Sequence, residues 1–187
     1  WVKEAAKRGL SNRRSTPEAL KEFISKETID LFKRQNILSE KELRARYEIK
    51  LEKYIKKIQI ESRVMGDLAV NHILPTAIHY QNRLIENARG LKEVLDSKSY
   101  VKLSRNQLNT IKEISDHISA IKDGVEEMVE ARKKANTIED MSKLAFAYKD
   151  TVKAHFETIR YHVDKLELLV DDELWPLPKY RELLFIK

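Results

Sequence analysis

Apolar positions recur every three or four residues along most of this chain. The clearest run is Ile111, Ile114, Ile118, Ile121, Val125 and Met128, whose 3-4-3-4-3 spacing puts all six on one face of a helix. That helix is expected to start at a capping box, Ser104 with Gln107, after a loop over "DSKSYVKLS", and to reach about Ala135. A second run follows: Ile138, Met141, Ala145, Tyr148, Val152, His155, Ile159, His162, Leu166 and Leu169. Between them "KKANT" turns the chain, with Thr137 expected to cap the second helix and Asp140 three residues on. Two such stripes joined by a short turn predict an antiparallel helical hairpin. Its packing seam is read as Tyr148, Val152, His155, Ile159 and His162, with Val125 facing Tyr148 and Ile118 facing His155.

Upstream, "STPEALKEFI" reads as a helix start, with Thr16 as cap, Pro17 at the first helical position, and Leu20, Phe23 and Ile24 as its stripe. "TIDLFKRQN" is a second short helix anchored by Ile29, Leu31 and Phe32 and ending near Asn36. Ser39 and Glu42 form another capping box, opening a long helix. Leu43, Tyr47, Leu51, Tyr54, Ile58, Met65, Leu68 and His72 are placed near one face of it. Pro75 lacks an N–H and crowds the preceding turn, so a kink is expected just before it, with the helix resuming to Gly90 or Leu95. Gly66 costs about 1 kcal/mol against Ala within a helix, which points to a close helix–helix approach. In "DDELWPLPKYRELLFIK" two prolines end the regular structure, Trp175 and Leu177 are anchors, and a last short helix carries Tyr180, Leu183, Leu184 and Phe185. The fold class is therefore all-α: a long kinked helix packed with a helical hairpin, short N-terminal helices and a proline-rich C-terminal tail.

Composition agrees. The 187 residues hold four Gly, four Pro and no Cys, and 35% are charged. Disulfides, Cys-based zinc and a Cys nucleophile are excluded. No apolar run approaches the ~20 residues of a spanning helix, so no membrane partner is expected and a cytoplasmic location is compatible. The chain opens "WVKEAAKRGL" without Met and reads as a piece of a longer protein. Its charge of +6 lies at the N-terminal end, where residues 1–60 hold 16 Lys/Arg against 9 Asp/Glu. A basic face can bind nucleic acid, but this one lacks interleaved aromatics, and a solvated helix face is the simpler account.

The low-charge stretch "SRVMGDLAVNHILPTAIHYQNRLIENARG", residues 62–90, reads as the most enclosed part of the bundle. His72 and His79 are seven residues apart, as are His155 and His162, so each pair shares a helix face. Bundle metal sites pair a Glu with a His three residues on, and no His here has Asp or Glu three residues before it. No metal ligand, catalytic group or phosphate loop is assigned. A polar pocket near His72, His79 and Asn82 is the one candidate small-molecule site.

The block "RYEIKLEKYIKKIQIESRVMGDLAVNHILPTAIHYQNRLIENARGLKEVL" resembles the C-terminal region of type III glutamine synthetases, as do "WVKEAAKRGLSN", "TPEAL", "LFKRQNILSEKELRARYE" and "WPLPKYRELLF". Residues about 15–50 also resemble the closing helices of the catalytic fold of glutamine synthetases generally. The resemblance implies a division into residues 1–50, closing that fold, and 51–187, a helical extension. It implies a parent enzyme that joins ammonia to glutamate with ATP and Mg2+ or Mn2+, in stacked hexameric rings. The partners are then an upstream catalytic domain and neighbouring subunits, and an apolar patch is expected along Leu20, Phe23, Leu31 and Phe32. No catalytic, cofactor or metal residue is carried over, and this chain alone is expected to be inactive. A regulatory module binding an effector or partner protein, and a basic nucleic-acid-binding module, are the alternatives.

Overall fold

A computed structural model describes residues 1–185; the side chains of Arg181 and of Tyr180, which is expected above in the last short helix, lie outside what is described. Helices account for nearly all regular structure, and no strand occurs among the described residues. The chain divides into two compact units: Trp1–Ser62 with Val129–Ala154, and Arg63–Met128 with the residues from His155 onward.

The first unit begins with α1 (Val2–Lys7) and α2 (Thr16–Leu20), which runs into a 3-10 turn at Lys21–Ile24. The cap of α2 is Ser15, one residue before the expected Thr16, because Thr16 already has helical backbone. α3 (Lys26–Arg34) is capped by Ser25, whose side chain accepts from the Thr28 N–H. It ends at Asn36, whose φ of 54° lets the Ile37 N–H reach the Phe32 carbonyl. That is a left-handed helix stop, a conformation Asn tolerates better than most residues.

α4 (Glu40–Leu68) starts where the capping box lies. The Ser39 N–H donates to Glu42 Oε2 at 2.8 Å, and Ser39 Oγ accepts from the Glu42 N–H at 3.3 Å. Its buried line is Leu43, Tyr47, Leu51, Ile55, Ile58 and Ser62. Leu43, Tyr47, Leu51 and Ile58 are thus buried as expected, but Ile55 and Ser62 join them, while Tyr54, Met65 and Leu68 are only half-buried and His72 is exposed. Against it in the same unit come the end of a second long helix, α7 (Met141–Ala147) and a π-helical turn at Tyr148–Val152. Ala145, Tyr148 and Val152 are fully buried there.

The second unit holds a π-helical turn at Ala69–Ile73, α5 (Leu74–Val94), most of α6 (Ser97–Ala135) and α8 (Ala154–Leu169), with α9 (Tyr180–Leu183) in the tail. The helix thus continues from Glu40 to Val94. The strain expected at Pro75 is taken up by the wide turn, where the Leu74 N–H reaches back five residues to Ala69. Residues 62–90 are not the most enclosed part. Ser62, Ala69, Ile73, Leu74, Ala77 and Ala88 are buried, and the remainder is partly or fully exposed. Few charges here reflect small and amide side chains rather than neighbours on most sides.

Ser104 and Gln107 do not cap a helix. α6 starts seven residues earlier, with Asp96 Oδ1 accepting from the Lys98 and Ser99 N–H groups at 3.0 and 3.1 Å. Ser104 is buried mid-helix and donates to the Tyr100 carbonyl, while Gln107 donates to the Leu84 carbonyl and to Asn87. Gln81 likewise donates to the Ile111 carbonyl and Ser115, so α5 and α6 are joined by neutral amides. The α6 stripe buries Ile114, Ile121, Val125 and Met128, and leaves Ile111 and Ile118 half-exposed. α7 is capped by Asp140, which accepts from the Lys143 N–H at 2.7 Å, not by Thr137, whose hydroxyl donates back to the Lys134 carbonyl. Trp175 is buried in the tail, whereas Leu183, Leu184 and Phe185 are exposed.

Candidate functional site

The features that a helical chain of this kind could use are its histidines, its half-buried ion pairs, its basic end and its exposed apolar side chains. His72, His79 and Asn82 all have exposed side chains, and the pocket expected around them is not drawn together by any hydrogen bond between the three. Of the seam residues, Tyr148, Val152 and Ile159 are buried, and His155 and His162 are half-buried.

The histidine that reading by spacing passed over is His117. Its Nδ1 lies 2.9 Å from Nδ1 of His162, joining α6 to α8, with ring centroids 5.1 Å apart and planes at 54°. The partner of His162 is therefore across the helix pair and not His155, seven residues away on its own helix. His155 instead has Nδ1 3.7 Å from Glu127 Oε2. A Cβ on Gly124 would come 3.1 Å from Ile159 Cγ1, so these two helices touch closely. His155 consequently stands level with Glu127, not Ile118. The connection at 136–140 is longer than the tight turn assumed, and the π-helical turn adds a residue to one arm only. Burial, then the charge of His117, holds His162 below the ordinary imidazole range.

In the first unit, Lys149 Nζ lies 2.8 Å from Glu18 Oε1 and 3.1 Å from Asp150, with both long side chains about 30% exposed or less. The hydrogen bond from Lys149 lowers the Glu18 pKa, and the same bond raises that of Lys149. Tyr148 donates to Asn136 Oδ1 at 2.6 Å and Tyr47 to Ser142 at 3.2 Å, so buried phenols are satisfied across the unit. A hollow of about 290 Å3 lies at the α3–α4 junction between Lys33, Asn36, Ile37, Leu38, Ser39 and Glu42. Its Ser39 hydroxyl and Glu42 carboxylate are already bonded to each other.

The expected apolar patch is corrected in its members. Leu20 is buried, and Phe23 and Phe32 are half-buried, because α2 packs on α7 and Lys50 covers the Phe23 ring at 5.3 Å. Leu31 is exposed as expected, and Trp1, Val2, Leu10, Ile37, Ile49 and Ile60 are exposed beside it in the sequence of the basic end. No three of His, Asp and Glu converge as metal ligands among the described residues, and no helix there is long and apolar enough to cross a membrane. The glycines at 9, 66, 90 and 124 stand singly, so they build no phosphate cradle. No chemical step is assigned to the described residues.

Comparisons with known proteins give the chain its family. The glutamine synthetase C-terminal domain family matches residues 1–92. Over all 187 residues the chain is 51% identical to a glutamine synthetase of Bacteroides fragilis and 31% identical to a type-3 glutamine synthetase of Dictyostelium discoideum. It is 32% identical over 185 residues to a glutamine synthetase of Butyrivibrio fibrisolvens. The chain spans about a quarter of the length of these curated relatives, 26%, 25% and 26% in turn. With its whole length aligned to such enzymes, the chain belongs to the glutamine synthetase C-terminal domain family, as its likeness to the type III enzymes implied.

Proposed function

We propose that this chain is a non-catalytic brace within a larger glutamine synthetase. Residues 1–50 close the catalytic fold, and 51–187 form a helical extension that supports it and shapes contacts with neighbouring subunits in a ringed assembly. The whole enzyme then ligates ammonia to glutamate in the cytoplasm, using ATP and Mg2+ or Mn2+ held by parts of the protein outside this chain. The observation that carries this reading is the alignment of the entire chain to glutamine synthetases of which it makes up about a quarter. The exposure of Val2, Leu10, Leu31 and Ile37 beside the basic residues of the first unit supports it, since such side chains gain by being covered.

Deleting residues 51–187 from the full-length enzyme tests the proposal. Light scattering should show smaller assemblies, and synthetase activity should fall. Intact rings with full activity would remove the bracing role. The regulatory alternative needs an enclosed effector site, and the exposure of His72, His79 and Asn82 favours the brace. Thermal shifts with glutamine, 2-oxoglutarate and nucleotides distinguish the two.

A further inference from the structure

We propose that His117 and His162 form a pH-sensitive latch between α6 and α8 of the second unit, closed while the pair carries at most one proton between its facing nitrogens and open when both carry one. The geometry requires this asymmetry. Two Nδ1 atoms 2.9 Å apart make a hydrogen bond only if one bears hydrogen and the other offers its lone pair. A neutral pair satisfies that, and so does a pair with one imidazolium. Once both rings are imidazolium, N–H faces N–H, the bond is gone, and two positive charges stand in contact.

The groups around the pair come from three helices. From α6, Glu113 Oε1 lies 3.9 Å from Nε2 of His117, the anion that a charged His117 ring would face. From α8, the Tyr161 ring meets His162 edge-on, at 82° and 5.1 Å between centroids, and brings no formal charge. From α5, the neutral amide of Gln81 reaches this level at Ile111 and Ser115. A proton added to His162 therefore enters a partly buried ring that stands against His117. Its depressed pKa agrees. The sign follows: the folded state prefers neutral His162, so the contribution of the latch is complete above the ordinary value of 6.5 and is lost as pH falls below it. His117 is largely enclosed, with 12% of its side chain exposed, so α6 and α8 must part for the two charges to be hydrated.

Hydrogen exchange on the full-length protein, corrected for the intrinsic pH dependence of amide exchange, tests the latch. Peptides covering 111–121 and 155–166 should lose about tenfold or more of their protection between about pH 7.5 and pH 5.5, a range in which an imidazole changes charge. Peptides from α4 serve as the internal reference. His162→Gln and, separately, His117→Gln remove one titrating ring while keeping a hydrogen-bonding side chain, and either should abolish the pH-dependent loss. Two variants guard against one that fails to fold at neutral pH, as read by circular dichroism. Protection that does not change with pH in the wild-type protein overturns the proposal, as does loss that persists in both variants. Stabilisation of the wild type by added Zn2+ that both variants lack would overturn it too, by assigning the facing nitrogens to a metal.

Discussion

Lys149 Nζ donates to Glu18 Oε1 at 2.8 Å, tying the first turn of α2 to the π-helical turn that begins at Tyr148. Glu18 also accepts from the Arg14 N–H at 3.1 Å, so its carboxylate gathers three segments of the first unit. Lys149 in turn lies over the Phe146 ring at 5.5 Å, where Lys21 also stacks at 4.4 Å.

Replacing Glu18 by Gln should lower the Tm of the protein by no more than a few degrees at neutral pH, because the pair is partly screened by solvent. Its pH dependence is the sharper reading. The folded pKa of Glu18 is depressed from 4.5, chiefly by Lys149, so its contribution is present above that value and is lost as pH falls through the lower folded one. Lys149 is raised from 10.5, so its contribution is present below that value and is lost as pH rises through the higher one. Thermal melts from acid to neutral should converge for Glu18→Gln and wild type at the acid end. Curves that run parallel throughout would show that the contact contributes nothing.

Two helical glycines of the second unit, Gly66 and Gly124, should respond oppositely to alanine. A Cβ on Gly66 would meet Val125 Cγ1 at 3.5 Å and Met128 Cε at 3.7 Å, ordinary van der Waals distances. Gly66→Ala should therefore gain up to about 1 kcal/mol from helix propensity. At Gly124 the new Cβ would sit 3.1 Å from Ile159 Cγ1, a branched side chain buried in the seam. Ile159 must move, and Gly124→Ala should end about 1–2 kcal/mol below Gly66→Ala. Urea unfolding of both variants decides it; equal stabilisation would mean that the α6–α8 contact is slack.

Much of the fold could be read from local spacing, and the errors share a cause. The lines Ile114, Ile121, Met128 and Val152, Ile159, Leu166 follow from period alone, and all six are buried. Ser39 and Glu42 cap as expected because α3 has already stopped at Asn36 and the chain just before them is not helical. The same Ser-x-x-Gln pattern at Ser104 is inside a helix, since a side chain reaching back one turn serves equally well to bond a carbonyl four residues earlier. The true start, Asp96, is a residue that the sequence offers as readily for a turn. The π-helical turns cannot be seen in a periodic pattern, yet one of them helps to shift the seam and so hides the pairing of His117 with His162. That pair is separated by 45 residues, and only the register of α6 on α8 brings it together. The burial of Leu20 has no local signal, because α2 packs on α7, more than a hundred residues later.

Core truncation should rank by enclosure rather than by hydrophobicity. Leu43 and Ile121 are fully buried, while Ile49 and Leu168 are 62% and 79% exposed. Leu43→Ala and Ile121→Ala should each cost about 2–5 kcal/mol, whereas Ile49→Ala and Leu168→Ala should change stability by about 0.5 kcal/mol or less. Denaturant midpoints with unchanged m-values would check this. A large loss at Leu168 would indicate that its face is covered in the assembled protein.

The start of α7 offers a direct test of which residue begins the second arm. Asp140 Oδ1 accepts from the Lys143 N–H at 2.7 Å, with its own backbone extended and its carbonyl taking the Leu144 N–H at 2.8 Å, the geometry of an N-cap. Thr137 stays on the far side of the turn, and its hydroxyl only closes the end of α6. Asp140→Ala should therefore cost about 1 kcal/mol, with Asp140→Asn or Asp140→Ser restoring most of it. Thr137→Ala should cost less, since the Lys134 carbonyl it leaves lies at an exposed turn where water replaces the bond. If Thr137→Ala proved the more harmful, α7 would start a turn earlier, and the contact between α2 and α7 that buries Leu20 would have to be rebuilt around it.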